Sequence, residues 1–131
     1  MKVLLSWKTM ISGVWSGGSE YVSDWDSLIM YLTPLKETAG TFGLNFIDGP
    51  ELGPICMQLE SDKKRYLMTL LEVTEDDTSV RAYDNPTASA EMVDILGDSW
   101  DARQLTDDFN LVIMLFKEFF EKGDVSHQWL N

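Results

Sequence analysis

Apolar and polar residues alternate with a period of two over several short stretches of this chain, and two further stretches carry helical spacing. The first alternating stretch, Lys2 to Thr9, predicts a strand, and Ser16-Gly17-Gly18-Ser19 reads as part of the loop that follows it. Ser23-Asp24-Trp25-Asp26 then sets a serine N-cap before acids in a first helical turn. Trp25, Leu28, Ile29, Leu32, Leu35 and Ala39 keep helical spacing, which predicts a helix from about Asp24 to Ala39 ended by Gly40. Pro34 lies inside that span and removes a backbone hydrogen bond, so the helix kinks or stops early near Thr33.

Four strand-like runs follow: Thr41 to Asp48, Ile55 to Glu60, Arg65 to Val73 and Thr78 to Tyr83. Short turns separate them, at Gly49-Pro50-Glu51-Leu52-Gly53, Ser61-Asp62-Lys63-Lys64 and Glu75-Asp76-Asp77, which predicts an antiparallel meander. After Asn85-Pro86, Met92 to Leu96 reads as one more strand and Gly97-Asp98-Ser99-Trp100-Asp101 as a loop. The last helix has Thr106 as N-cap, Asp107 and Asp108 at its positive end, and Gly123 as its stop. Phe109, Val112, Ile113, Phe116, Phe119 and Phe120 form its stripe, and Leu111, Met114 and Leu115 widen the apolar surface. Burial against the sheet accounts for that surface better than dimerisation through it. The fold class is therefore α+β: one domain over residues 1–131, with an antiparallel sheet of about five to six strands packed against two main helices.

Composition fits this picture, since 44% hydrophobic and 11% aromatic residues suffice for a core in 131 residues. No apolar run approaches the roughly 18 residues of a membrane span, and Met1 to Lys8 is too short and too soon charged for a signal peptide. A cytoplasmic protein is expected. Cys56 is the only cysteine, between Ile55 and Met57, and reads as a buried, inert thiol. His127 is the only histidine, so neither a multi-histidine zinc site nor a Cys–His nucleophile is expected.

Charge changes the picture more. The net charge is −12, and it is divided unevenly: residues 1–70 hold 8 acids and 6 bases, whereas residues 71–131 hold 14 acids and 4 bases. From Glu72 to Asp108 there are 11 acids and two bases, Arg81 and Arg103, with apolar residues interleaved. The interleaving argues for a folded, strongly negative face. Such a face repels nucleic-acid phosphate and anionic lipid, and a basic partner would relieve its self-repulsion.

Paired carboxylates are the only catalytic material present in quantity: Asp24 with Asp26, Asp76 with Asp77, Asp98 with Asp101, and Asp107 with Asp108. Each pair has a local explanation in a helix start or a turn, and no calcium or phosphate loop motif accompanies them. The expectation is thus a binding protein without enzymatic activity, cofactor or metal. Its partner-binding residues are read as Glu75, Asp76, Asp77, Asp98, Trp100, Asp101, Asp107 and Asp108. Trp100 would be the desolvated anchor among the charges, against the alternative of a core tryptophan. Trp15 and Trp129 are weaker anchors, and Trp7 and Trp25 belong to the core.

A set of short stretches carries a resemblance: Leu5-Ser6-Trp7, Ser23-Asp24-Trp25, Arg65-Tyr66-Leu67, Val80-Arg81-Ala82-Tyr83, Ile95-Leu96-Gly97-Asp98-Ser99-Trp100, and Phe116-Lys117-Glu118-Phe119-Phe120 with Gly123-Asp124-Val125. Taken together they resemble the small acidic bacterial immunity proteins of the contact-dependent growth inhibition and polymorphic toxin type. The resemblance implies a single cytoplasmic α+β domain that binds one cognate toxin, commonly a nuclease, and blocks its active site or substrate-binding surface. It brings no contact residue with it. The rival readings are an acidic adaptor or chaperone-like module for a basic protein, a carboxylate hydrolase built on Asp98 and Asp101, and a homodimer through the last helix.

Overall fold

A computed structural model describes residues 2–131; Met1, part of the start weighed above as a leader, lies outside the described residues. Nine strands and two α-helices follow one another in the order β1 (Val3–Ile11), β2 (Val14–Val22), α1 (Trp25–Leu32), β3 (Gly40–Phe46), β4 (Gly53–Asp62), β5 (Arg65–Val73), β6 (Thr78–Ala82), β7 (Met92–Ile95), β8 (Asp98–Asp101), β9 (Leu105–Thr106) and α2 (Phe109–Lys122). The main sheet is antiparallel throughout, in the order β2-β1-β3-β4-β5-β6, with β9 pairing the start of β5. The fold is α+β, as the periodicities predict.

The sheet buries one face against both helices. Leu5, Phe42, Leu44, Met57, Leu59, Met68 and Leu70 project from alternate strand positions onto Leu28, Leu32 and Leu35 and onto Val112, Leu115, Phe116 and Phe119 of α2. Aromatic pairs lock α2 to the strands: Phe42 with Phe116 at 5.2 Å, Phe46 with Phe119 at 4.8 Å and Tyr66 with Phe109 at 5.1 Å between ring centroids. Each such pair contributes about 0.5–1.5 kcal/mol beyond its area burial. Met114 is the one clearly exposed member of the wider apolar surface of α2.

Several local expectations are corrected. Ser16 to Ser19 lie within strand β2, because Gly17 and Gly18 fit closely against β1: a Cβ on Gly17 would meet the Trp7 carbonyl oxygen at 2.3 Å, and one on Gly18 the Trp7 ring at 3.0 Å. The stretch Asp98–Asp101 is a strand too, paired with β7 through a two-residue turn in which Leu96 and Gly97 both take positive φ, 52° and 92°. The caps differ as well. Asp24, rather than Ser23, caps α1 by accepting from the Ser27 amide at 2.7 Å, and Asp108, rather than Thr106, caps α2.

The early stop near Thr33 is present. The α-helix ends at Leu32, and Thr33–Lys36 form a 3-10 turn that carries Leu35 into the core. Gly40 opens β3 instead of closing the helix; a Cβ there would lie 2.1 Å from the Lys8 carbonyl oxygen.

Since Leu67 points away from the face that Tyr66 and Met68 share, a second, smaller core forms on the reverse of the sheet. There the β7–β8 hairpin lays Ile95, with Val93 and Trp100, over Leu67 and Leu105. The Leu96 amide donates to Asp62 Oδ2 at 3.0 Å and fixes the turn of this hairpin to the end of β4. No helix among the described residues is long and apolar enough to cross a membrane.

Candidate functional site: the acidic edge of the sheet

The charge asymmetry of the sequence becomes an asymmetry in space. Strands β5 to β9 and the connections between them carry most of the acid window, and they lie at the β6 end of the sheet or against it, while β1 and β2 stand at the other end.

Three groups of acids occupy this end. Glu75, Asp76 and Asp77 form the turn between β5 and β6, where the Asp77 carboxylate accepts from the Thr78 amide at 2.7 Å and its carbonyl from the Thr74 amide at 2.8 Å. Glu75 and Asp76 are exposed, with no side-chain bond holding them. Asp107 and Asp108 stand at the opposite end of β5, since β9 pairs with Tyr66 and Leu67. The seven strand steps from Tyr66 to Val73 separate the two groups by roughly 23 Å. Asp98 and Asp101 sit on the β7–β8 hairpin over the reverse face.

The eight residues read from the sequence therefore do not form one patch. Trp100 is half-buried in the small core with its ring beside Leu67, Ile95 and Leu105, so the core alternative describes it better than a free anchor. Its Nε1 is buried and without a partner, as is Glu60 Oε2 on β4. Burial, and secondarily the charge of Asp98, pushes the Glu60 carboxyl above its usual range. Asp98 follows the strand alternation to the sheet-facing side of the hairpin, whereas Asp101 turns outward. Arg103 donates to Asp101 through Nη2 at 2.6 Å and through its amide at 2.9 Å, which holds that carboxyl down at about 2.

Asp107 and Asp108 do line a cleft. It encloses about 520 Å³ between the 84–91 loop, the start of α2 and the C-terminal segment. Its wall includes Glu91, Asp107, Asp108 and Arg65, with Tyr83 and Trp129 as aromatic surfaces. Asp108 caps α2, accepting from the Asn110 amide at 3.0 Å and the Leu111 amide at 3.4 Å, while Thr106 Oγ1 accepts from the Asp108 amide at 3.1 Å. Backbone bonds from Asn85 to the Arg103 carbonyl (2.7 Å) and from Ala102 to the Glu91 carbonyl (2.9 Å) tie the loop to the hairpin. Glu91, Tyr83 and Arg65 are members that the sequence reading missed. Asp107, Asp108 and Trp129 were legible there, whereas nothing in the sequence pairs a loop glutamate with a strand end 26 positions earlier.

Both cations of the acid window are consumed internally. Arg81 is only 4% exposed; its Nη1 donates to Asp124 at 2.9 Å and lies 3.7 Å from Glu72. Its Nε donates to the Leu130 carbonyl at 3.0 Å, and Nη2 to the Val125 carbonyl. Arg103 is paired with Asp101. Among the described residues, the remaining acids of the window have no ion-pair partner.

A family described as "Family of unknown function (DUF6911)" matches residues 9–129. The chain belongs to that family. No curated protein matches it. A solved structure similar to this DUF6911 chain, described as the crystal structure of a hypothetical protein from Neisseria gonorrhoeae, superposes with a TM-score of 0.81 at 17% identity. The match covers 95% of this chain and 90% of the other, and at that identity it speaks for the fold.

Among the described residues no three of His, Cys, Asp or Glu are grouped to hold a metal ion. Cys56 is partly rather than fully buried, and that burial pushes its thiol up.

Proposed function

We propose that this DUF6911 protein is a cytoplasmic immunity protein that binds one basic bacterial toxin domain, most naturally a nuclease, and covers the surface on which the toxin holds its substrate. One observation carries the reading: the acids of the window gather in groups at the β6 end of the sheet, where the two arginines of that window are already paired with carboxylates of this chain and Arg65 is the arginine left in the cleft wall. A nuclease needs a basic surface to hold phosphate, and an acidic protein competes for that surface by charge. Long-range attraction would speed encounter, and desolvated contacts would hold the complex.

The cleft suits a lysine or arginine side chain of the partner. Three carboxylates stand against one guanidinium in its wall, and the Tyr83 and Trp129 rings supply surfaces for a cation. Glu75 and Asp76 would extend the contact to the far end of β5. The mechanism is steric and electrostatic occlusion, with no bond made or broken.

The test is neutralisation. The basic protein that this chain retains from its native host is co-expressed with wild-type chain or with the variant Asp76→Lys/Glu91→Lys/Asp107→Lys, whose three sites bear no capping bond. Growth rescued by the wild type and lost with the variant is the expected result. Rescue by both, or by neither, contradicts the proposal.

A further inference from the structure

The two edges of the main sheet are finished differently. At β6 the chain covers its own edge: Tyr83 bridges to Leu130, the Asn131 amide donates to the Ala82 carbonyl at 3.2 Å, and Arg81 holds the Leu130 carbonyl. β6 is also short, at five residues. At the other edge β2 runs for nine residues, pairs with β1 without a bulge along its whole length, and is exposed at every position but Val22. It contains no proline and no lysine, the residues by which exposed edges are ordinarily blunted.

The register identifies which backbone groups are free. Ser12 and Gly13 (φ 54° and 77°) make a two-residue turn, so the flanking pair Ile11–Val14 exchanges hydrogen bonds and the pattern alternates from there. Trp15, Gly17, Ser19 and Tyr21 therefore direct their amides and carbonyls outward. Their arrangement is self-complementary. A two-fold axis at Gly18 sets Trp15 opposite Tyr21 of a second copy and Gly17 opposite Ser19, each as a pair that exchanges both hydrogen bonds. Trp15 (41% exposed) and Tyr21 (59%) then form an aromatic cross-strand pair on each side of the axis, and Val14 (64%) meets Val22. Glu20 faces Ser16, so β2 itself sets no like charges opposite one another, and Lys8 of the neighbouring strand and Lys2 just before it lie over the Trp15 and Tyr21 rings at 5.1 and 5.0 Å from their centroids.

Charge permits this contact where it would forbid others. Residues 1–47, which include β1, β2 and β3, hold four acids and three bases, so the acid excess of each copy stays at its far edge.

We infer that β2 is a dimerisation strand: two copies join edge to edge about Gly18 into one continuous antiparallel sheet, leaving both acidic edges free and pointing apart. This inference stands apart from the toxin reading, since it uses the opposite edge of the sheet.

Sedimentation velocity of the full chain, from low-micromolar to sub-millimolar concentration, tests it together with two variants. Ser19→Pro removes one outward amide without touching the ladder to β1, and Trp15→Lys places a charge in the aromatic pair. Wild type should reach twice the monomer mass, and each variant should weaken the dimer at least about tenfold in Kd. Circular dichroism checks that the variants fold, and Trp15→Lys serves if Ser19→Pro does not. A wild type that stays monomeric throughout, or a dimer that survives Trp15→Lys and dissociates with Met114→Glu on α2, overturns the inference.

Discussion

Arg81 shows what a single residue does that its sequence context hides. In the sequence it is one of two bases diluting an acidic run; in the fold it is a buried clamp joining β6 to the C-terminal segment through two carbonyls and a carboxylate. Arg81→Ala should lower stability by about 3 kcal/mol in urea unfolding, because buried carbonyl groups lose their donor. Glu60 makes the opposite kind of prediction. Its folded carboxyl titrates above the ordinary value of 4.5, through burial first and Asp98 second, so folding favours the protonated acid. That contribution is complete below 4.5 and is lost as the pH rises through the raised folded value. Glu60→Gln should therefore raise the thermal midpoint at neutral pH and leave it nearly unchanged in acid, with Asp98→Asn a weaker change in the same direction. Neither role was legible beforehand. Asp24 and Asp108 were read as acids favourable at a helix start, yet which residue of each stretch caps depends on where the chain enters the helix.

At the scale of elements, the meander and both helices followed from periodicity, since their apolar stripes face one shared core. What escaped was strand without alternation. β2 lacks an apolar face because its core side is occupied by Trp7 and Tyr31, whose rings meet tilted at 4.6 Å between centroids; the Tyr31 hydroxyl donates to Glu20. β8 escaped because its glycine was taken as the start of a loop rather than the second residue of a tight turn. The turn at Lys63-Lys64 carries an avoidable cost: both residues have positive φ, 52° and 59°, without being glycine or asparagine. Replacing the pair by Asn-Gly should stabilise the fold by roughly 1 kcal/mol in urea unfolding. The exposed Lys64–Glu37 pair lost in the exchange, at 3.2 Å, contributes little. The stretches that carry the resemblance to immunity proteins lie mainly in core-building elements such as β1, β5 and α2. They bear on fold more than on interface.

For the whole molecule, the sequence made the charge imbalance visible but not its placement. Sequence position became position in the sheet because the meander lays β3 to β6 side by side in order, which carries the acidic half to one edge. With −12 charges and most of the acid window unpaired, the folded chain should gain stability as salt rises from low to physiological strength, which a melting series checks. Partner binding should respond in the opposite sense during encounter and yet survive once formed. The most direct test is capture by immobilised protein from its native host's lysate, washed at low and then at high salt, with the retained protein quantified. The account predicts one basic protein held at one copy per chain through the high-salt wash. A scatter of basic proteins released by salt, or no retained protein, would contradict it.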